Sequence, residues 1–240
     1  MHPKYIHYCW FGQGPLSKQT KKYIESWRRH LKGYALQCWD ESNFSIDDAP
    51  VYVQEAYAAK KYAFVSDYVR LYALYHQGGV YLDTDVEVIK DFTQLLTSDT
   101  VLGYEDIGKI TTAFIAAPPQ AAWIGEILGL YEKRHFRRPD GSMDMTTNVA
   151  FISDYLKRKG IALDNTYTRH GDIEIYPAEY FSPRSWEDGG YHITDNTYTI
   201  HYFAGTWHSP LNRLLSRFLS NATVYKIAAW KDKIRHFIKR

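Results

Sequence analysis

The sequence predicts an α/β domain, and three observations carry that prediction. Short apolar runs alternate with helix-patterned segments, and the order strand, helix, strand at the start opens a βαβ unit. One apolar run, Val80-Tyr81-Leu82, follows Gly78-Gly79 and ends in Asp83-Thr84-Asp85, the pattern of a buried strand whose far end meets the surface. A composition of 45% hydrophobic and 23% charged residues over 240 residues suits one folded α/β domain with an appendage.

Taken in order, Tyr5–Trp10 reads as the first strand, broken by the Gly- and Pro-containing loop Phe11–Pro15. Ser17 is placed to cap a helix running to about Leu31, with Ile24, Trp27 and Leu31 on one face and Gly33 beyond its end. Tyr34–Trp39 is the second strand. Asp47 and Asp48 are candidate caps for a short helix over Val51–Lys60. The clearest helix is Ala63–Gln77, where Phe64, Tyr68, Leu71 and Tyr75 recur at helical offsets before Gly78-Gly79 stops it. Further on the pattern gives strands near Val101–Glu105 and Thr111–Ala117, then a helix over Ala121–Tyr131. A basic loop follows over His135–Gly141, then a helix capped by Thr147 and reaching Lys159. Ile173–Tyr176 and Tyr198–Phe203 read as the closing strands.

The chemistry is expected where Val80–Leu82 ends. Carboxylates are not buried unpaired, so Asp83 and Asp85 must face water, a cation or a partner. Open α/β sheets bind ligands at the carboxyl ends of their strands, and an Asp-x-Asp there suits a hard divalent ion that also holds a diphosphate. A merely solvated strand end is the bland alternative. Asp67 and Arg70, three apart on the preceding helix, are neighbours and form either a surface ion pair or part of the same site.

Composition narrows the functional classes. Two cysteines, Cys9 and Cys38, make no disulfide framework, and no zinc-type spacing occurs. No apolar stretch of about 18 residues is present to span a membrane, and the start of the sequence lacks a signal peptide's apolar core, so a cytoplasmic location is expected. Residues 211–240 hold eight Lys and Arg against one Asp, dividing the net +2 into a tail of +7 and a body of −5. A mildly acidic body argues against a nucleic-acid partner. The 21 Tyr supply either flat faces for sugars and bases or a Tyr-rich core.

Five stretches together resemble the DXD-containing sugar-binding glycosyltransferases of the bacterial capsular-polysaccharide type. They are Ile6–Gly12, Tyr62–Arg70, Gly78–Asp85, Ile175–Pro183 and His201–Trp207. The resemblance implies a GT-A, Rossmann-like domain with a mostly parallel central sheet over residues 1–210. It also implies a nucleotide-sugar donor, UDP-linked, Mn²⁺ or Mg²⁺, a saccharide or lipid-linked glycan acceptor, and transfer with retention. Carried over by position, Asp85 ligates the metal and Asp83 holds the ribose and reaches the metal more loosely. His201 matches a further metal ligand, with a structural histidine as the alternative. Trp10 matches a base-stacking position, Asp67 and Arg70 grip the donor sugar and diphosphate, and Thr206-Trp207 stands where relatives close a Ser and Trp over the diphosphate.

Two other classes compete: a haloacid-dehalogenase-like phosphatase, whose Asp-x-Asp also ends an apolar strand, and a silent nucleotide-sugar binder. Beyond residue 210, Leu211, Leu214, Leu215, Phe218 and Leu219, then Trp230, Ile234, Phe237 and Ile238, repeat at helical spacing among the cations. That pattern predicts one or two amphipathic helices in residues 211–240, docked either on the anionic inner face of the cell membrane or on the catalytic domain.

Overall fold

The computed structural model describes residues 2–204, of which residues through 202 belong to one compact unit. The expected tail helices and Thr206-Trp207 lie outside the described residues. Strand β1 (Tyr5–Cys9) leads through helix α1 (Lys18–His30) to β2 (Ala35–Trp39). Helices α2 (Val51–Ala58) and α3 (Tyr62–Gln77) precede β3 (Gly79–Leu82) and β4 (Val86–Val88). Then come β5 (Thr100–Asp106), β6 (Lys109–Ala117), α4 (Ala122–Tyr131) and α5 (Asn148–Arg158). Strands β7 (Thr168–His170) and β8 (Ile173–Tyr176), the short helix α6 (Ala178–Phe181) and β9 (Thr199–His201) complete it.

The seven-stranded sheet has the order β2-β1-β3-β6-β5-β8-β7. β2, β1, β3, β5 and β8 run in one direction, with β6 and β7 against them, so the sheet is mostly parallel as expected. Alternate side chains serve different cores. Val80 and Leu82 of β3 pack with Ile24 and Trp27 of α1 and with Phe114 and Phe181, while Tyr81 joins the opposite core with Val65, Leu71 and Ile124. Phe114 and Phe181 stack at 3.8 Å between ring centroids. Tyr52, Tyr81, Tyr104 and Tyr131 are fully buried, so much of the tyrosine content is core.

Local chemistry explains the element ends. Ser17 caps α1 by accepting from the Thr20 amide, and Thr147 caps α5 by accepting from Ala150. The expected Asp47–Asp48 cap does not form: Pro50 is the residue before α2, and no side chain caps that helix. Pro50 supplies the extended entry that a capping carboxylate would otherwise have fixed. At the end of α3, Gly78 and Gly79 take φ of +64° and +108°. A Cβ on Gly79 would stand 2.7 Å from the Tyr5 carbonyl oxygen, so the sharp turn from helix into central strand needs glycine twice over.

β4 pairs antiparallel with β9 in a separate two-stranded ribbon, with Val86 opposite His201. α1 carries this ribbon: Trp27 Nε1 donates to the Val86 carbonyl at 2.8 Å, and the Val88 amide donates to Ser26 Oγ at 3.0 Å. The ribbon brings the end of the described chain back to the turn after β3.

Candidate active site

Asp83 and Asp85 sit in the turn that joins β3 to β4, at the carboxyl edge of the five co-directional strands. The Asp83 amide donates to the Ala113 carbonyl at 3.0 Å, prolonging the β3–β6 ladder by one residue and fixing where the first carboxylate emerges. Across the ribbon, the Tyr202 amide donates to the Asp85 carbonyl at 3.0 Å. That register seats His201 Nε2 3.3 Å from Asp85 Oδ1. One ligand atom from each of Asp83, Asp85 and His201 lies within 4.8 Å of the others. Burial disfavours the charged imidazole, but Asp85, with Asp83 and Glu105 further off, outweighs it and raises the His201 pKa.

Two carboxylate oxygens and an imidazole nitrogen, converging on one point, fit a divalent ion of the Mg²⁺ or Mn²⁺ kind that keeps open positions for phosphate oxygens. The register of β9 with β4 sets His201 beside the two carboxylates.

The second cluster is the pair on α3. Asp67 and Arg70 are 9% and 5% exposed, which removes the surface-pair alternative. Arg70 Nη2 lies 3.0 Å from Asp67 Oδ1 and 3.3 Å from Asp83 Oδ1. Its Nη1 donates to the Thr112 carbonyl at 2.6 Å and its Nε to the Ser66 carbonyl at 3.3 Å, with the Tyr81 ring 4.8 Å from the guanidinium carbon. The guanidinium thus ties α3 to β6 and holds Asp83, while Tyr81 donates to the same Asp83 oxygen at 2.9 Å. Burial raises Asp67 to about 6 against the opposing pull of Arg70. Arg70 is held above its ordinary value, since Asp83, Tyr81 and Asp67 outweigh the cost of its burial.

Three residues around these clusters take no site role in the sequence reading. Asn148, the first residue of α5, gives its amide to Asp67 Oδ2 at 3.2 Å and its Nδ2 to the Asp67 carbonyl at 2.9 Å. Tyr81 is a core residue whose hydroxyl reaches Asp83 and whose ring faces Arg70. Glu105, near the end of β5, lies within electrostatic reach of His201 and Asp83. The Thr147 cap is the one local signal that marked α5, and it fixes where that helix begins but not what its first side chain touches.

Trp10 follows β1 on the same sheet edge, half-buried, with Nε1 donating to the Gly14 carbonyl at 2.6 Å. This bond curls the loop after β1 toward the loop after β2, where Glu41 accepts from the Gly12 amide and from Tyr57. An open depression of about 610 Å³ lies there, lined by Gln13, Glu41, Asn43, Phe44, Asp47 and Tyr57 among others. Cys9 and Cys38 are free thiols.

Residues 17–102 match the family described as a glycosyltransferase sugar-binding region containing a DXD motif. Glucan organizing enzyme 1 of Cryptococcus neoformans var. grubii is 35% identical over 83 residues, which span 30% of this chain and 23% of that protein. Among solved structures, the galactosyltransferase LgtC in complex with donor and acceptor sugar analogues has a TM-score of 0.49 at 13% identity, covering 86% of this chain and 90% of its own. A glycosyltransferase involved in glycosylation of the major capsid of PBCV-1 has a TM-score of 0.48 at 12% identity, covering 88% and 97%. Residues 17–102, which carry the Asp67–Arg70 pair and the Asp83-Thr84-Asp85 turn, thus match a glycosyltransferase sugar-binding region containing a DXD motif.

Proposed function

We propose that the protein transfers a sugar, with retention at the anomeric carbon, from a UDP-linked donor to a saccharide or lipid-linked saccharide. The observation that carries this reading is the convergence of Asp83, Asp85 and His201 within 4.8 Å beside the buried Asp67–Arg70 pair, at the carboxyl edge of the sheet. Asp83, Asp85 and His201 would hold Mn²⁺ or Mg²⁺, which supplies positive charge where the leaving diphosphate gains negative charge.

The chain's own residues do the rest. Arg70 holds Asp83 in place and sets a fixed positive charge behind it. That preorganised field favours a diphosphate more as its bond to the sugar breaks than before. Asp67, kept in position by Asn148, offers a carboxylate to donor hydroxyls. Trp10 would stack on the nucleotide base and Thr206-Trp207 would close over the diphosphate, both on the sequence resemblance alone. A dehalogenase-type phosphatase fits less well, because the Asp83 oxygen that would attack is bound by a guanidinium and a phenol.

The test is release of nucleoside diphosphate from a panel of UDP-, GDP- and dTDP-sugars with Mn²⁺ and after chelation. Turnover of one donor, lost on chelation and restored by Mn²⁺, is the expected result. A panel that yields no product, or phosphate release from p-nitrophenyl phosphate instead, overturns the reading. We further propose, from the +7 tail alone, that residues 211–240 hold the enzyme on the anionic cytoplasmic membrane face.

A further inference from the structure

His201 reaches Asp85 from the last strand of the described fold, and that strand is short. β9 and β4 are three residues each and form a two-stranded ribbon of their own beside the main sheet. A ribbon of that size is marginal by itself in water. It nevertheless delivers an imidazole to 3.3 Å from a carboxylate, so other contacts must hold it. At the start of β9, Thr199 Oγ1 donates to the Phe181 carbonyl at 2.7 Å. Tyr202 holds the other end.

Tyr202 directly follows β9 and extends the ladder by one bond, its amide donating to the Asp85 carbonyl at 3.0 Å. Successive side chains along a strand leave opposite faces, and here His201 meets Asp85 while Tyr202 meets β4 and α1. The Tyr202 hydroxyl donates to Glu87 Oε2 at 2.7 Å. Its ring stacks on Tyr23 with centroids 4.9 Å apart and planes 16° from parallel, and Tyr191 lies 5.5 Å away. Tyr23 is 8% exposed and belongs to the same buried face of α1 as Ser26 and Trp27, three and four residues on. That one face grips both strands of the ribbon: Ser26 and Trp27 bond the backbone of β4, and Tyr23 holds the residue after β9. A slip of one residue between paired strands would send every side chain to the other face, His201 included.

We propose that Tyr202 is a positioning residue for the metal site: stacked on Tyr23 and bonded to Glu87, it locks the register of β9 on β4 and so holds His201 at the two carboxylates. The inference rests on the ligand role proposed for His201 and adds what keeps that ligand in reach. A ligand ordered during folding binds a cation more tightly than one that must be ordered on binding. Groups that orient a metal ligand from behind contribute in the same way.

Calorimetric titration of the full-length protein with Mn²⁺ alone reads this without turnover. Tyr202→Ala should weaken Mn²⁺ affinity about tenfold, as His201→Ala does, and the double variant should lose no more than His201→Ala. Tyr202→Phe keeps the stack and gives up only the Glu87 bond, so it should recover most of the affinity. Tyr202→Phe and Glu87→Ala should each weaken binding about threefold, and together no further, because both remove the same bond. That pair carries the test if Tyr202→Ala does not fold. Wild-type affinity in Tyr202→Ala, or in both Tyr202→Phe and Glu87→Ala, beside a weakened His201→Ala overturns the positioning role and leaves the ligand role standing. A further loss in the double variant over His201→Ala overturns it as well, since Tyr202 would then act by another route. Wild-type affinity in His201→Ala removes the ligand role, and the inference falls with it.

Discussion

Asp67 and Arg70 are joined at 3.0 Å with both side chains almost wholly withdrawn from water, and the same guanidinium nitrogen reaches Asp83 at 3.3 Å. Removing one member of a buried pair leaves the other charge uncompensated, at a cost of about 3–5 kcal/mol, far above the roughly 0–1 kcal/mol of a surface pair. Arg70→Ala should therefore lower the unfolding free energy by that larger amount in urea titration. Arg70→Lys keeps the charge but not the planar fork that serves Thr112, Asp67 and Asp83 together. It should cut kcat/KM for the donor by about 100-fold or more, and wild-type kinetics would remove Arg70 from the site.

Asp67 gives a pH signature. Its pKa is raised to about 6 by burial from an ordinary 3.8, so the folded state binds the proton more tightly than the unfolded one. The stability associated with that proton is fully present below the unfolded value and lost as pH rises through about 6. The loss is on the order of 3 kcal/mol. Wild type should weaken between about pH 4 and pH 6 relative to Asp67→Asn, which binds no proton there. At pH 7 the variant should be poorly active. A variant as pH-dependent as wild type would assign the effect to another group.

Metal titration tests the proposed ligands one by one. Asp85→Ala should weaken Mn²⁺ affinity by about 100-fold in calorimetry and His201→Ala by about 10-fold, in the range that loss of metal-site groups produces. Unchanged Mn²⁺ titration in His201→Ala would leave that histidine as part of the β4–β9 ribbon only.

The helix-to-strand turn is a stability probe remote from ligand chemistry. Gly79→Ala places a Cβ 2.7 Å from the Tyr5 oxygen at a φ of +108°. Strain of this kind costs about 1–3 kcal/mol before the clash is relieved. The midpoint of urea unfolding should fall accordingly, and a midpoint at the wild-type value would show that β1 and β3 separate easily.

The basic tail is tested by flotation. Full-length protein should co-float with phosphatidylserine vesicles at low salt and residues 1–210 should not, because each cation near such a surface contributes about 1 kcal/mol. Full-length protein that stays behind at low salt rules out membrane docking.

Much of the site was legible because its signals are local. The Asp-x-Asp after an apolar run, the double glycine before it and the i,i+3 spacing of Asp67 and Arg70 can each be read within a few residues. The burial of that pair cannot, since it is produced by Asn148 and by Thr112, which come from α5 and β6. Likewise β4 is too short to declare itself as Val86-Glu87-Val88 and becomes a strand only by pairing with β9. β7, with Arg169 and His170 exposed on a sheet edge, has no apolar alternation to announce it. Asp47 and Asp48 looked like caps because capping preference is a local rule, and Pro50 overrode it. Glu105 is a single carboxylate at a strand end, and its nearness to His201 and Asp83 shows only in the fold.

The pairing of β4 with β9 has a consequence for when the protein can act. Asp83 and Asp85 belong to the first half of the chain, while His201 rides on the last strand of the described fold, and closing so long a loop is among the slow, entropy-limited events of folding. A nascent chain still emerging from the ribosome can build β1 to β3, but His201 does not reach Asp83 and Asp85 until β9 has docked. The protein's own topology thus keeps the three side chains of the candidate site apart in a half-made chain until the fold is closed.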